Sequence, residues 1–243
     1  MRTSLRRLMD NYSKINSLRK YLFYALGEIV LIVFSLFLAF QLNDLNERNK
    51  EKKLRGTYTR LLIKDYQTDL EQIRAARTQF LREIQLIDSY GIRLGLHYGS
   101  QDTIIKIVGY EYNPNVPPFV RYNNTTLETL KETGHLELIS SKTLKQINTV
   151  QLLQNEQQLY QKTMLDSHTR LLESYLSNYP LKNGVLNKGQ LYTLLWEDID
   201  SRDLLLEFNA LITTTRSVLT NATFYYDKIE VETTKAIELL QNQ

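Results

Sequence analysis

Residues Tyr21 to Leu42 read YLFYALGEIVLIVFSLFLAFQL, with Glu28 as the one charged side chain. At about 1.5 Å per residue a helix of about 22 residues is ~33 Å long, enough to cross a hydrocarbon core of ~30 Å. This run predicts a single membrane span at 21–42. The rest of the chain then becomes a domain held at a membrane surface.

The flanks orient the span. Arg2, Arg6, Arg7, Lys14, Arg19 and Lys20 stand against Asp10 alone, so residues 1–20 carry +5 of a total net charge of +3. Basic residues beside a first span favour the cytoplasmic side, which predicts a cytoplasmic tail at 1–20 and a periplasmic domain at 43–243. Arg48, Lys50, Lys52, Lys53 and Arg55 follow the span but are mixed with Asp44, Glu47 and Glu51. The apolar run exceeds a signal-peptide core of ~7–15 residues, and Leu38-Ala39-Phe40 offers no small-x-small cleavage site, so a retained anchor is expected. Leu5, Leu8, Met9, Tyr12 and Ile15 recur at helical spacing opposite the bases, a pattern that suits either a basic amphipathic helix at the inner headgroups or a plain topology tail.

Cysteine is absent, which excludes disulfides, thiolate metal sites and cysteine nucleophiles. The basic charge sits in the tail, so no nucleic-acid surface is expected of the outer domain. Glycine and proline cluster between Gly91 and Pro118 and between Pro180 and Gly189, and elsewhere the apolar spacing is helical. Leu54, Tyr58, Leu61, Tyr66, Leu70, Ile73, Phe80, Ile84 and Ile87 form one stripe, predicting a helix over 43–90 continuous with the span.

An irregular tip is expected at 91–124. Within it Ile104 to Tyr112, IIKIVGYEY, is rich enough in β-branched and aromatic residues to predict a loop or small hairpin. Thr125 and Glu128 read as a capping box that opens a short helix at 125–134, closed by Gly134. A helix at 140–179 follows, capped by Ser140 or Ser141, with Leu144, Ile147, Tyr160, Met164, Leu171 and Tyr175 inside. The last helix, 201–241, shows a strict alternation of three and four through Phe208, Leu211, Thr215, Val218, Ala222, Tyr225, Ile229, Glu232, Ala236 and Leu239. The expected fold class is therefore all-α: a membrane helix running into an extracytoplasmic antiparallel helical bundle with a small irregular or hairpin insertion.

Motifs of catalysis are not found: no glycine-rich phosphate loop, H-E-x-x-H or nucleophile elbow. His97, His135 and His168 fall on three separate elements, and Trp196 reads as a core anchor. The expectation is a protein that is not an enzyme, with no cofactor or metal. Glu28 is the exception to an otherwise bland chain, because an intramembrane carboxylate is costly and faces protein or water. Ser35 lies seven positions on, on the same face, and Ser35-x-x-x-Ala39 is a small-x-x-x-small pair that permits close helix approach. Glu28, Ser35 and Ala39 thus mark a candidate association face; snorkelling of Glu28 to the inner interface is the alternative.

Tyr24-Ala25-Leu26-Gly27-Glu28-Ile29-Val30-Leu31, the Ala39-x-Gln41-x-Asn43 exit and Asn46-Glu47 resemble a bacterial family of short single-span envelope proteins, a domain of unknown function. Leu127-Glu128-x-Leu130-Lys131-x-x-Gly134-x-Leu136-x-Leu138-Ile139 is similar to that family's second block, and Phe208-Asn209 to a third. Ser35 and Leu45 stand where family members often carry glycine and tryptophan. The resemblance implies a Gram-negative envelope and no reaction. The function expected is a membrane-anchored scaffold or interaction module of the inner membrane, its partners the lipid bilayer and further copies of itself. The alternative is a stator-like or energy-transducing subunit that uses Glu28 in ion coupling with a multi-span partner. A ligand sensor is disfavoured because no second apolar run of useful length returns to the inside.

Overall fold

The computed structural model describes the backbone of residues 2–96, 100–179, 190–197 and 199–242 and, in the first helix, side chains from Tyr24 onward. Helix α1 runs over Arg2–Leu96, α2 over Gln101–Ile105 and a π-helix over Lys106–Glu111. They are followed by α3 over Thr125–Glu132, a 3-10 turn at His135–Leu138, α4 over Ser141–Asn178, α5 over Gln190–Glu197 and α6 over Ser201–Gln241. Among the described residues there is no strand. The described chain divides into two units, Met1–Thr57 and Tyr58–Gln243.

The first unit consists of α1 alone. Proline is absent until Pro114, so nothing removes a backbone donor from this helix. In the polar stretch after the apolar run, Asp44 pairs with Arg48 at 3.0 Å and Asn43 Nδ2 donates to Glu47 Oε1 at 3.2 Å, both one turn apart. Such pairs support an exposed helix by a few tenths of a kcal/mol each.

In the second unit α1, α4 and α6 share a core. Arg74 Nε donates to Glu230 Oε1 and Arg77 Nη1 to Asp227 Oδ1, each at 2.7 Å, and Arg216 Nε donates to Asp88 Oδ1 at 2.7 Å. The order of these partners is reversed between the two helices, so α1 and α6 run antiparallel. Gln146 with Glu232 and Asn178 with Glu207 give the same sense for α4 against α6. Exposed pairs of this kind contribute ~1 kcal/mol or less. Burial in two apolar clusters contributes more. One cluster holds Ile73, Phe80, Tyr90, Ile107, Tyr112, Tyr175, Phe208 and Tyr226, and the other Leu62, Leu130, Ile147, Val150, Ala236 and Leu240.

Three local expectations are corrected. The hairpin expected around Ile104 to Tyr112 is helix instead. Ile104, Ile107 and Val108 lie at helical spacing and are all buried in the first cluster; packing on one face outweighs their β propensity. The irregular part is 112–124. The capping box is not formed either. Asn124 is the N-cap of α3 and makes no side-chain cap bond. The Thr126 N–H donates to Asp65 Oδ2 of α1 at 3.3 Å, and Glu128 is engaged by Lys131. The first N–H groups of α3 are thus taken by Asp65 of another helix and by Asn123, whose Oδ1 accepts the Thr125 N–H at 3.3 Å.

The seam of α6 also departs from a strict heptad. Up to Ala222 every expected residue is buried, with Leu204, Ile212 and Leu219 buried beside them, but beyond it Tyr226, Thr233 and Leu240 are buried in place of Tyr225, Glu232 and Leu239. A straight helix has 3.6 residues per turn, so its inward face drifts by ~20° per heptad and one added step of four restores it.

Gly134 does close α3, at φ 73° in the left-handed region. A Cβ there would meet nothing within 4 Å, so Gly134→Ala isolates the cost of the backbone conformation. Equilibrium unfolding is expected to show a loss of about 1 kcal/mol; an unchanged midpoint would show that the turn relaxes out of this conformation.

Candidate functional site

The residues singled out in the span all lie on α1. Glu28, Leu31, Ile32, Ser35 and Leu36 line one shallow groove, and Ala39 sits a turn beyond it. Ser35 Oγ donates to the Leu31 carbonyl at 2.8 Å, so its hydroxyl is satisfied within the helix and needs neither water nor a neighbour. Around the groove the large side chains stand outward: Leu31 is 67% exposed and Phe34 58%. Among the described residues, α1 is the one helix long and apolar enough to cross a membrane, and none of its apolar window is buried by protein.

A second site lies inside the helical unit. Each long helix passes from one apolar cluster to the other through buried polar residues: Asp69 on α1, Gln154 and Gln157 on α4, Thr233 on α6. Asp69 is only 1% exposed. Its Oδ1 accepts the Asn123 N–H at 2.9 Å, while Asp65, one turn earlier, accepts Asn123 Nδ2 at 2.8 Å and the Thr126 N–H. Two carboxylates of α1 therefore clamp the end of the 112–124 segment. Further along, Tyr122 Oη donates to Gln157 Oε1 at 3.2 Å and the Val120 N–H donates to Tyr226 Oη at 3.1 Å. These bonds satisfy an irregular stretch that has no ladder of its own.

The layer is not fully paired. Asp69 Oδ2, Tyr66 Oη and both polar atoms of Gln154 are buried and meet no partner of ordinary hydrogen-bond geometry, although Gln154 stands beside the Asp69 carboxylate. Buried groups left in that state cost ~1–3 kcal/mol each. Burial, opposed by the Asn123 N–H and by the Gln154 side chain and reinforced by the Asp65 charge, pushes the Asp69 carboxyl up to about 6. Burial raises the Tyr66 and Tyr122 phenols well above their ordinary value.

No known protein family, curated protein or solved structure matches this chain.

The histidines are not brought together by the described residues. His135 lies against Tyr58 with ring centroids 5.8 Å apart, His168 is buried on α4, and His97 lies outside the described residues, as does the break at Pro180–Gly189. Trp196 is buried in the first apolar cluster. Sequence reasoning missed the Asp69 layer, although a signal was present. Leu62, Tyr66, Asp69 and Ile73 continue the inward stripe in steps of three and four, so Asp69 occupies a seam position. Gln154 and Gln157 do the same after Ile147 and Val150.

Proposed function

We propose that this chain is a membrane-anchored helical scaffold or interaction module of a bacterial envelope, without catalytic activity of its own and related to the single-span family it resembles. One observation carries the reading: the apolar side chains of α1 from Leu26 to Leu42 stand uncovered. In water each such side chain, fully exposed, costs ~1.5–3 kcal/mol relative to burial, and a bilayer removes that cost. The +5 tail supports a cytoplasmic side for residues 1–20 and, with it, a periplasmic side for the helical second unit.

Self-association through the Glu28, Ser35 and Ala39 face relieves the remaining penalty. A charge near the centre of a span costs ~2.5–3.5 kcal/mol on insertion scales, and a protein-lined face lowers it. Purification in mild detergent followed by mass spectrometry is expected to give a homo-oligomer. Ser35→Leu, which blocks close approach, is expected to weaken crosslinking while Glu28→Gln retains part of it. A complex with a multi-span protein, together with loss of a cellular phenotype in Glu28→Gln, would favour the ion-coupling reading instead. Wild type and both variants running as the same monomer would end the association reading.

A further inference from the structure

We propose that the outward face of α4 and α6 is the contact surface for a second copy of this chain, with α4 of each copy laid against α6 of the other. The proposal rests on the anchored, self-associating chain proposed above, but it uses a face on the second unit and does not depend on Glu28 or Ser35.

Leu152 and Leu159 on α4 and Phe224 and Val231 on α6 are large apolar side chains, each more than half exposed. On either helix the two lie seven positions apart, close to two full turns, and so share one side. Leu152, Phe224 and Val231 line one groove between the helices. All four are left over once the two apolar clusters of the second unit have formed. Single exposed apolar residues are ordinary, whereas a contiguous patch marks a contact surface.

A charge stands inside each apolar pair. Glu156 follows Leu152 by four positions and precedes Leu159 by three, and Lys228 has the same spacing between Phe224 and Val231. Glu156 is exposed and, among the described residues, pairs with no base of its own chain. Lys228 Nζ lies 4.2 Å from the centroid of the Phe224 ring, so the cation is held over the patch.

Symmetry decides what meets what. Within one chain the antiparallel contact sets Tyr160 beside Tyr225, ring centroids 6.2 Å apart, and Asn178 against Glu207. That register brings Leu152 level with Val231, Glu156 with Lys228 and Leu159 with Phe224, to within about one turn. A two-fold axis parallel to the helices keeps each residue at its height and sets α4 of one copy against α6 of the other. Apolar side chains then meet apolar ones, and Glu156 of each copy meets Lys228 of its partner. An axis across the helices at this level would instead lay α4 on α4 and α6 on α6, with Glu156 against Glu156 and Lys228 against Lys228. Charge therefore selects the first arrangement. Such a contact is isologous, so every pair in it occurs twice. Anchoring both copies in one membrane supplies the high effective concentration that a contact of this size needs.

The chain has no cysteine, so an introduced pair reports on one contact alone. Two full-length chains with different tags are expressed in the same cells, one carrying Leu152→Cys and the other Val231→Cys, and the isolated membranes are mildly oxidised. A disulfide joining the two tags is expected. Adding Glu156→Lys to the first chain is expected to cut its yield about fivefold, because like charges then face each other. Adding Lys228→Glu to the second chain as well is expected to restore it. The two charge changes lie in different chains, so a contact within one chain cannot produce the rescue. A cysteine at 152 that crosslinks to a different protein, or to none, would overturn the proposal, as would a disulfide indifferent to both charge changes. Fractionation and Ser35→Leu crosslinking read the anchor and the span separately, so a failure there is distinguishable from a failure of this face.

Discussion

Phe80→Ala removes about 3–5 kcal/mol of stability from the helical unit. Phe80 is fully buried on α1, its ring edge-on to Phe119 at 5.1 Å and 5.7 Å from Tyr226. Tyr226 in turn holds the backbone N–H of Val120, so the ring of Phe80 fills the space under the 112–124 segment as well as the α1–α6 contact. Loss of the ring forfeits its transfer free energy and leaves a cavity that stiff helices close only in part. A net stability of ~5–15 kcal/mol is typical of a domain, so this one change consumes a large fraction of it. Leu81, the next residue, is 48% exposed, and Leu81→Ala is expected to cost about 0.5 kcal/mol or less. Denaturant unfolding of both variants, followed by helical circular dichroism, checks the contrast; similar losses would show that the cluster is not the centre of stability.

A chain beginning at Asn43 is expected to leave the membrane almost entirely, whereas the full-length chain stays with it through a high-salt or alkaline wash. The apolar side chains from Leu26 to Leu42 have no protein cover, and a span of about 20 residues inserts in an effectively irreversible way. Fractionation followed by immunoblotting reads the result. Retention of the shortened chain would assign the attachment to the second unit. In the same cells, protease added to spheroplasts is expected to digest the full-length protein's C-terminal domain. Protection until lysis would invert the proposed orientation.

What was legible in the sequence is what short-range periodicity encodes. Steps of three and four along α1, α4 and α6 announce helices, and Gly134 at the end of α3 and Ser140 at the start of α4 occupy the terminal positions they suggest. Ser140 Oγ accepts the Thr143 N–H at 3.2 Å, as a cap should. The helix α5 at Gln190–Glu197 was not legible, because eight residues are too few for a periodic signal to rise above noise.

The failures share a cause: a residue whose partner is distant in sequence. IIKIVGYEY carries local strand preference, yet burial of Ile104, Ile107 and Val108 in a core built by other helices makes it helical. Thr125 and Glu128 fit a local cap, yet Asp65, about sixty positions earlier, takes the Thr126 N–H. Tyr225 and Tyr226 both fit a step from Ala222, and the drift of a 3.6-residue helix over the long contact with its neighbours turns Tyr226 inward.

The candidate sites divide in the same way. Glu28, Ser35 and Ala39 share a face because of their spacing on one uninterrupted helix, and no tertiary contact is needed to place them. The sequence by itself therefore determined the apolar segment, the helical class and that face, since each depends on neighbours within about two turns. The Asp69 layer depends on α1, the 112–124 segment and α4 meeting at one level. Whether a carboxylate on a helical stripe faces solvent or a closed core is a matter of what packs against it, and burial is what moves its proton affinity toward neutral pH. Only the tertiary structure decided that.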